Sequence, residues 1–352
     1  MIREGIQKLI EGSNLTYEES GQIMGEIMSG KATNAQTAAF LTALRIKGEA
    51  VEELIAFASI MRTHCHKIHP NVNGRLVDTC GTGGDKVKTF NVSTAAAFVI
   101  AGGGVAVAKH GNRAITSKSG SADVLEKLGL NLNSEPEVVQ SIIEKVGIGF
   151  MFAPAFHPAM KYAAEPRREI GIRTVFNILG PLTNPACANA QLLGVYDDKL
   201  AIPLAFALKR LGCEEAMVVH GLDGLDEIST VGKTLIAHLK QGEVTKSEFV
   251  PKDFGVKKAR ITDLQTFTSE ESAQTLFKIL SGNTIDTAKA EIVLVNSAAG
   301  IIVGGKSENF KEGMEIARES IRSGAAYAKL KDLVKASGGS LQRLEELDAK
   351  YE

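Results

Sequence analysis

Three polar, glycine-bearing segments are the part of this sequence best suited to chemistry. They occupy residues 81–85 (GTGGD), 89–94 (TFNVST) and 109–113 (KHGNR), each at the end of an apolar run or the start of a helical one. Backbone N–H groups at helix N-termini attract anions, glycines let the backbone approach oxygen atoms closely, and hydroxyl and lysine groups complete such sites. The sequence therefore predicts a phosphate site. It matches neither the Walker loop nor the dinucleotide-binding glycine spacing.

Each segment alone has a simpler interpretation. The glycines suit a tight turn, the Ser-Thr pair suits a helix N-cap, and residues 109–113 suit a solvated charge cluster. Their combination at neighbouring strand ends favours phosphate binding. Ser117, Ser119 and Ser121 precede a further helix, which is a natural site for a phosphate monoester. His110 is a possible general base, but a hydrogen-bonding role is equally compatible with the sequence.

Two further pairs carry charge that a phosphate site could use. Asp226 and Glu227 follow an apolar strand, and adjacent loop carboxylates are usually just solvated. Facing a phosphate cradle, they become candidate Mg²⁺ ligands, because Mg²⁺ prefers carboxylates together with phosphate oxygens and water. Arg167 and Arg168 are surface charges by default, and one of them could hold a substrate carboxylate.

The predicted secondary structure that positions these residues changes near residue 70, from helices alone to strands that alternate with helices. Residues 1–70 show helical apolar spacing, with capping boxes at Thr16/Glu19 and Thr33/Gln36. Beyond them, strands alternate with helices, which predicts parallel pairing with the ligand at the carboxyl ends of the strands. The predicted strands cover residues 76–79, 105–108, 148–152, 192–195 and 216–220, and a hairpin covers residues 234–240 and 244–249.

Composition narrows the classes of partner and compartment. The 352 residues are 44% hydrophobic and 23% charged with a net charge of −1, so no overall basic field draws in nucleic acid. We expect no membrane span and no signal peptide, because neither pattern is present. Cys65, Cys80, Cys187 and Cys213 are widely spaced, which indicates thiols in a reducing compartment, expected to be the cytoplasm, and not a zinc site.

Taken together, the motifs resemble those of the anthranilate phosphoribosyltransferases. The resemblance rests on residues 77–85, 89–94, 109–114, 118–123 and 171–177 and on Asp226-Glu227, and it extends over nearly the whole chain. It implies a fold class shared with the nucleoside phosphorylases: α/β, with a small all-helical domain hinged to a larger α/β domain that has a mainly parallel central sheet. The helical domain would take residues 1–70 plus a returning segment near 167–187, and the α/β domain residues 71–352.

The resemblance also implies the reaction: transfer of the phosphoribosyl group of 5-phosphoribosyl-1-diphosphate to the amine of anthranilate, in tryptophan biosynthesis, by a Mg²⁺-dependent homodimer. By position, the diphosphate end would lie on Gly81, Gly84, Asp85, Thr89, Asn91, Val92, Ser93 and Thr94. The phosphoribosyl group would lie on Lys109, His110, Gly111, Asn112, Arg113, Ala114, Ile115, Thr116, Ser117 and Ser121. Mg²⁺ would be held by Ser93, Asp226 and Glu227, and anthranilate by Gly81, Asn112 and Arg167.

Two alternatives stay open at this point. A pyrimidine-nucleoside phosphorylase of the same fold would use free phosphate and need no metal pair, and the residues of 109–112 and 226–227 argue against it. A non-catalytic, nucleic-acid-binding relative would need a basic groove and damaged substrate motifs. The slightly acidic balance and the intact motifs argue against that alternative.

Overall fold

A computed structural model of the chain describes residues 1–84, 87, 89–114 and 119–351. Four residues expected at the site, Asp85, Ile115, Thr116 and Ser117, lie outside these ranges. Their assignments stay as predictions from the resemblance.

The chain begins with a bundle of four helices. Thr16 and Thr33 form the predicted capping boxes, in which each hydroxyl accepts a hydrogen bond from the N3 backbone N–H while the N3 side chain accepts one from the cap residue. The helices of the bundle present apolar residues to a shared core. The bundle consists of α1 (Ile2–Ile10), α2 (Tyr17–Met28), α3 (Asn34–Lys47) and α4 (Val51–Thr63).

A seven-stranded sheet forms the rest of the framework, in the order β3-β2-β1-β4-β5-β6-β7. The first five strands are parallel, and β6 and β7 add an antiparallel hairpin at one edge, as the sequence predicts. The strands are β1 (Leu76–Gly81), β2 (Ala106–Gly111), β3 (Ile148–Phe152), β4 (Ala190–Gly194), β5 (Glu215–Gly221), β6 (Thr234–Lys240) and β7 (Glu243–Phe249).

Helices cover both faces of this sheet, which explains why its central strands are apolar on both sides. The helices that follow the bundle along the chain are α5 (Val92–Gly102), α6 (Ser121–Lys127), α7 (Pro136–Val146), α8 (Ala153–Phe156), α9 (Lys161–Ile170), α10 (Phe176–Leu182), α11 (Ala201–Arg210), α12 (Ile261–Leu264), α13 (Ser269–Leu280), α14 (Ala288–Val303), α15 (Phe310–Arg322), α16 (Ala325–Ala336) and α17 (Gln342–Tyr351). In the described ranges, no helix combines the length and apolar character that a bilayer crossing requires.

The chain returns to the helical bundle through α9. Ala163 of α9 lies in the same apolar core as α2, α3 and α4, and Asn34 Nδ2 of α3 donates a hydrogen bond to Glu165 Oε2 at 2.7 Å. That core continues into α11 and one face of the sheet, so the bundle and the sheet share buried surface. The domain boundary near residue 70 stays a prediction.

Candidate active site

The polar segments meet at one edge of the sheet, where the parallel strands end. Gly81 at the end of β1 lies opposite Gly194 of β4, and Gly111 at the end of β2 lies opposite Phe152 of β3. The segments thus share the carboxyl ends of the parallel strands, which is where we expect the ligand site.

The glycine-rich loop after β1 is held by hydrogen bonds to several other segments. Thr82 N donates to Gly194 O at 2.9 Å, and Thr82 Oγ1 accepts a hydrogen bond from Tyr196 N at 3.1 Å. Gly83 N donates to Asp226 Oδ2 at 3.0 Å. Gly83 and Gly84 both adopt a positive φ, which glycine tolerates without strain. The loop is thus held in shape by main-chain bonds and one carboxylate.

The three residues expected to hold the metal come together at this loop. Ser93, in the first turn of α5, donates its backbone N–H to Glu227 Oε1 at 3.2 Å, and the neighbouring Asp226 contacts the glycine loop. Burial raises the pKa of the Asp226 carboxyl. In the part of the chain that the structure describes, no group of three or more His, Cys, Asp or Glu side chains is placed to hold a metal by itself.

Lys109 lies beneath the cradle, not on its surface. Its side chain is buried, and Nζ donates to Thr79 O at 2.5 Å and lies 3.4 Å from Ser93 Oγ. Burial lowers the pKa of this amine, and the charge of the buried Asp78 acts in the opposite direction. The positive charge of Lys109 therefore lies beneath the cradle, close to the first turn of α5.

The segment after β2 is tied to the start of α6. Asn112 O accepts hydrogen bonds from Ala122 N at 3.2 Å and from Ser121 Oγ at 3.4 Å. Ala114 N donates to Asp123 Oδ2 at 2.9 Å. The Arg113 guanidinium pairs with both oxygens of Glu126 at 2.6 and 2.7 Å, so a carboxylate balances its charge.

The other residues expected around the diphosphate also make contacts that stabilise the fold. Thr89 forms an isolated bridge with Gln265, and Asn91 Oδ1 accepts hydrogen bonds from Ser119 and Ser272. Val92 and Thr94 are buried in the first turn of α5.

A cavity of about 540 Å³ lies beside the cradle, between the strand ends and helices α9 and α10. Its wall contains Gly81, Asn112 and Arg167, the three residues expected around an aromatic carboxylate. The Arg167 guanidinium stacks over the Phe176 ring, with 5.1 Å between Cζ and the ring centroid. Burial lowers the pKa of Arg167. A half-buried cation in a largely apolar pocket favours an anionic ligand.

Two histidines also line this cavity. The rings of His110 and His157 lie with centroids 5.0 Å apart. Burial lowers the pKa of His110 to about 3 and that of His157 to about 4. Both imidazoles are therefore neutral near pH 7, and within the described residues neither Nε2 atom has a hydrogen-bond partner.

The sequence predicts a role for neither His157 nor Arg173, although Arg173 lies in the motif at residues 171–177. His157 follows α8 with no spacing that links it to His110. The pairing of β2 with β3, together with the short α8 that follows β3, brings the two rings together. Arg173 Nη2 donates to Gly83 O at 2.6 Å. The glycine at residue 171, which ends α9 in the left-handed conformation, was the available signal that the chain turns sharply here.

Comparison with known proteins gives a consistent result. Residues 73–327 match the glycosyl transferase family, a/b domain, and residues 3–65 match the glycosyl transferase family, helical bundle domain. The chain is 51% identical over 334 residues to the anthranilate phosphoribosyltransferase of Acetivibrio thermocellus, covering 95% of this chain and 96% of that protein. Identity to the anthranilate phosphoribosyltransferase of Pelotomaculum thermopropionicum is 51% over 341 residues, covering 96% and 97%.

Solved structures agree. The crystal structure of anthranilate phosphoribosyltransferase from Thermus thermophilus superposes with a TM-score of 0.88 at 40% identity, covering 95% of this chain and 99% of that one. The Saccharomyces cerevisiae enzyme, solved in complex with PRPP and Mg, gives a TM-score of 0.88 at 30% identity, covering 96% and 98%.

Proposed function

The chain belongs to the anthranilate phosphoribosyltransferase family, and we propose that it transfers the phosphoribosyl group of 5-phosphoribosyl-1-diphosphate to the amine of anthranilate in tryptophan biosynthesis. One observation carries the proposal. A glycine-rich cradle, two carboxylates and an arginine-bearing pocket meet at the carboxyl ends of the parallel strands. A donor with a diphosphate leaving group and an aromatic acid acceptor need those three features. The homodimer and the cytoplasmic location expected above stay as predictions.

The diphosphate end lies on Gly81, Gly84, Thr89 and residues 91–94. The N-terminus of α5 supplies backbone N–H groups and the positive end of the helix dipole, which favour a charged leaving group. The resemblance adds Asp85.

Mg²⁺ fits the oxygen atoms of Ser93, Asp226 and Glu227, because a hydroxyl and two carboxylates are hard ligands that leave room for phosphate oxygens and water. When bound, Mg²⁺ would neutralise charge on the diphosphate leaving group. Asp226 also accepts a hydrogen bond from Gly83 N, so the carboxylate pair is held at a fixed position against the loop.

The phosphoribosyl group lies between the glycine-rich loop after β1 and the segment after β2. We assign residues 110–114 and Ser121 to this side, with the Lys109 ammonium buried beneath it, and the resemblance adds Ile115, Thr116 and Ser117. The segment's bonds to the start of α6 fix its backbone before substrate arrives. Such preorganisation lowers the entropy cost of binding.

Anthranilate occupies the cavity, with its carboxylate on Arg167 and its ring beside Asn112 and Gly81. Its amine is a weak nucleophile, so the C–O bond to diphosphate breaks early and positive charge develops at the ribose anomeric carbon. Arg167 orients the amine toward that carbon, which is catalysis by positioning. The low pKa of His110 favours a hydrogen-bonding role for its neutral ring over general base catalysis.

The test follows the fluorescence of anthranilate in the presence of purified protein, phosphoribosyl diphosphate and Mg²⁺, and then with each component left out in turn. The proposal expects a loss of fluorescence that requires all of them. Folded protein that consumes no anthranilate under these conditions would overturn it.

A further inference from the structure

Arg173 connects the helical part of the molecule to the glycine-rich loop. It lies between α9 and α10, on the segment that returns to the helical bundle. Its Nη2 atom reaches across to donate a hydrogen bond to Gly83 O at 2.6 Å. Arg173 therefore places a positive charge, carried on the segment that returns to the helical bundle, at the glycine-rich loop after β1.

The guanidinium is held in a defined place. Its Cζ atom lies 4.2 Å from the centroid of the Tyr196 ring, and Tyr196 N in turn holds Thr82 of the loop. A Cβ atom at Gly84 would overlap the Arg173 guanidinium, so the arginine occupies the space that only glycine leaves free. The glycine-rich loop, the Tyr196 ring and the Arg173 guanidinium are therefore packed against one another.

The Arg173 charge is available to an anion. Among the described residues the guanidinium contacts a carbonyl oxygen and an aromatic face, and it makes no ion-pair contact with a carboxylate. Its charge also acts on the Asp226 carboxyl, where it opposes the effect of burial on the pKa of that group. A neutral donor would satisfy the Gly83 carbonyl equally well, whereas the fork of guanidinium N–H groups matches phosphate oxygens.

We propose that Arg173 is a binding residue for the diphosphate of the phosphoribosyl donor, delivered to the glycine loop by the segment that packs with the helical bundle. The inference rests on the proposed function, because it takes the ligand of that loop to be a diphosphate. Docking of that segment on the sheet and binding of the diphosphate therefore stabilise each other.

Binding measurements test the ligand that Arg173 recognises. Titration calorimetry with inorganic diphosphate and Mg²⁺, and separately with ribose 5-phosphate, compares the wild type with Arg173→Gln. We expect the Kd for diphosphate to rise about tenfold to a hundredfold. The Kd for ribose 5-phosphate should stay within about twofold. Equal affinity of both proteins for diphosphate, or equal weakening for both ligands, would overturn the proposal.

A matched control and two further variants separate binding from folding. Arg168→Gln removes an exposed arginine from the same segment and should leave the Kd for diphosphate unchanged. Arg173→Lys keeps the charge without the fork and should recover part of the affinity. Tyr196→Leu removes the stacking ring and should weaken diphosphate binding in the same direction. No recovery by lysine in a protein with wild-type melting temperature would contradict a charge-based role.

Steady-state kinetics distinguishes this inference from the proposed function. In Arg173→Gln, the Michaelis constant for the phosphoribosyl donor should rise while that for anthranilate stays unchanged. A wild type with no turnover would defeat the proposed function itself. A wild type that turns over, with an Arg173→Gln variant of equal constants, would defeat the Arg173 proposal alone.

Discussion

Gly194, the last residue of β4, lies directly against the main chain of Asp226. A Cβ atom at Gly194 would overlap the Asp226 carbonyl oxygen. Gly194 also accepts a hydrogen bond from Thr82 N at 2.9 Å and pairs with Gly81 in the sheet. The position of the carboxylate pair is therefore set by the close approach of two backbone segments, which requires a glycine on β4.

Gly194→Ala should move Asp226 and Glu227 away from the loop. We expect the free energy of unfolding to fall by about 1–3 kcal/mol, because the added methyl group has no space. Turnover should fall further than this loss of stability explains. Urea unfolding and the fluorescence assay measure the two effects. Gly25→Ala is the control: its Cβ would meet no atom within 4 Å, and helix α2 should gain up to about 1 kcal/mol. Equal activity of Gly194→Ala and wild type would refute this interpretation.

Glu227→Gln should lower kcat by about a hundredfold or more, since it removes a charged oxygen from the site proposed for Mg²⁺. The fold should survive, because glutamine has the same size and can still accept the hydrogen bond of Ser93 N. The activity is followed in a Mg²⁺ titration. Asp198→Asn, an exposed carboxylate after β4, should leave the titration unchanged. Wild-type turnover in Glu227→Gln at every Mg²⁺ concentration would exclude Glu227 from the site.

Arg167→Gln should raise the Michaelis constant for anthranilate by about tenfold to a hundredfold, which is the cost of losing a charged hydrogen bond. The constant for the phosphoribosyl donor should change little, because Arg167 lies in the separate cavity. Arg168→Gln serves as the control on the exposed side of the same helix. Equal effects on both substrates would contradict a role in holding the carboxylate.

The buried His157 should make the protein less stable in acid. Its pKa is about 4 in the folded protein and near 6.5 in the unfolded chain, so the unfolded chain binds the proton first as the pH falls. The free energy of unfolding should therefore fall between about pH 6.5 and pH 4, with up to about 3 kcal/mol from this residue. Urea unfolding across that range checks the result.

His157→Gln should make this pH dependence shallower over the same interval, since glutamine does not titrate. His69→Gln, at an exposed position, should leave the pH dependence as it is in the wild type. An unchanged slope in His157→Gln would show that the imidazole is solvated and not buried. His110 lies 5.0 Å away and acts in the same direction, so the two substitutions combined should flatten the slope further.

Local patterns in the sequence predicted most of the framework correctly. The capping boxes at Thr16 and Thr33, the five parallel strands and the terminal hairpin are all present. These elements depend on nearest-neighbour chemistry: hydroxyl caps, apolar runs and a glycine turn. Strand ends were predicted less accurately, because β1 and β2 continue to Gly81 and Gly111, beyond the apolar residues that indicated them.

The sequence by itself determined the chemistry of the site, and the tertiary structure decided which groups are available for it. Glycines, hydroxyls, lysine and paired carboxylates are recognisable in order along the chain, because the alternation of strands and helices places them at one edge. The burial of Lys109, the neutrality of His110 beside His157 and the reach of Arg173 to Gly83 depend on contacts between distant segments. Burial and distant charges set the pKa of each group, and neither can be read from its neighbours in sequence.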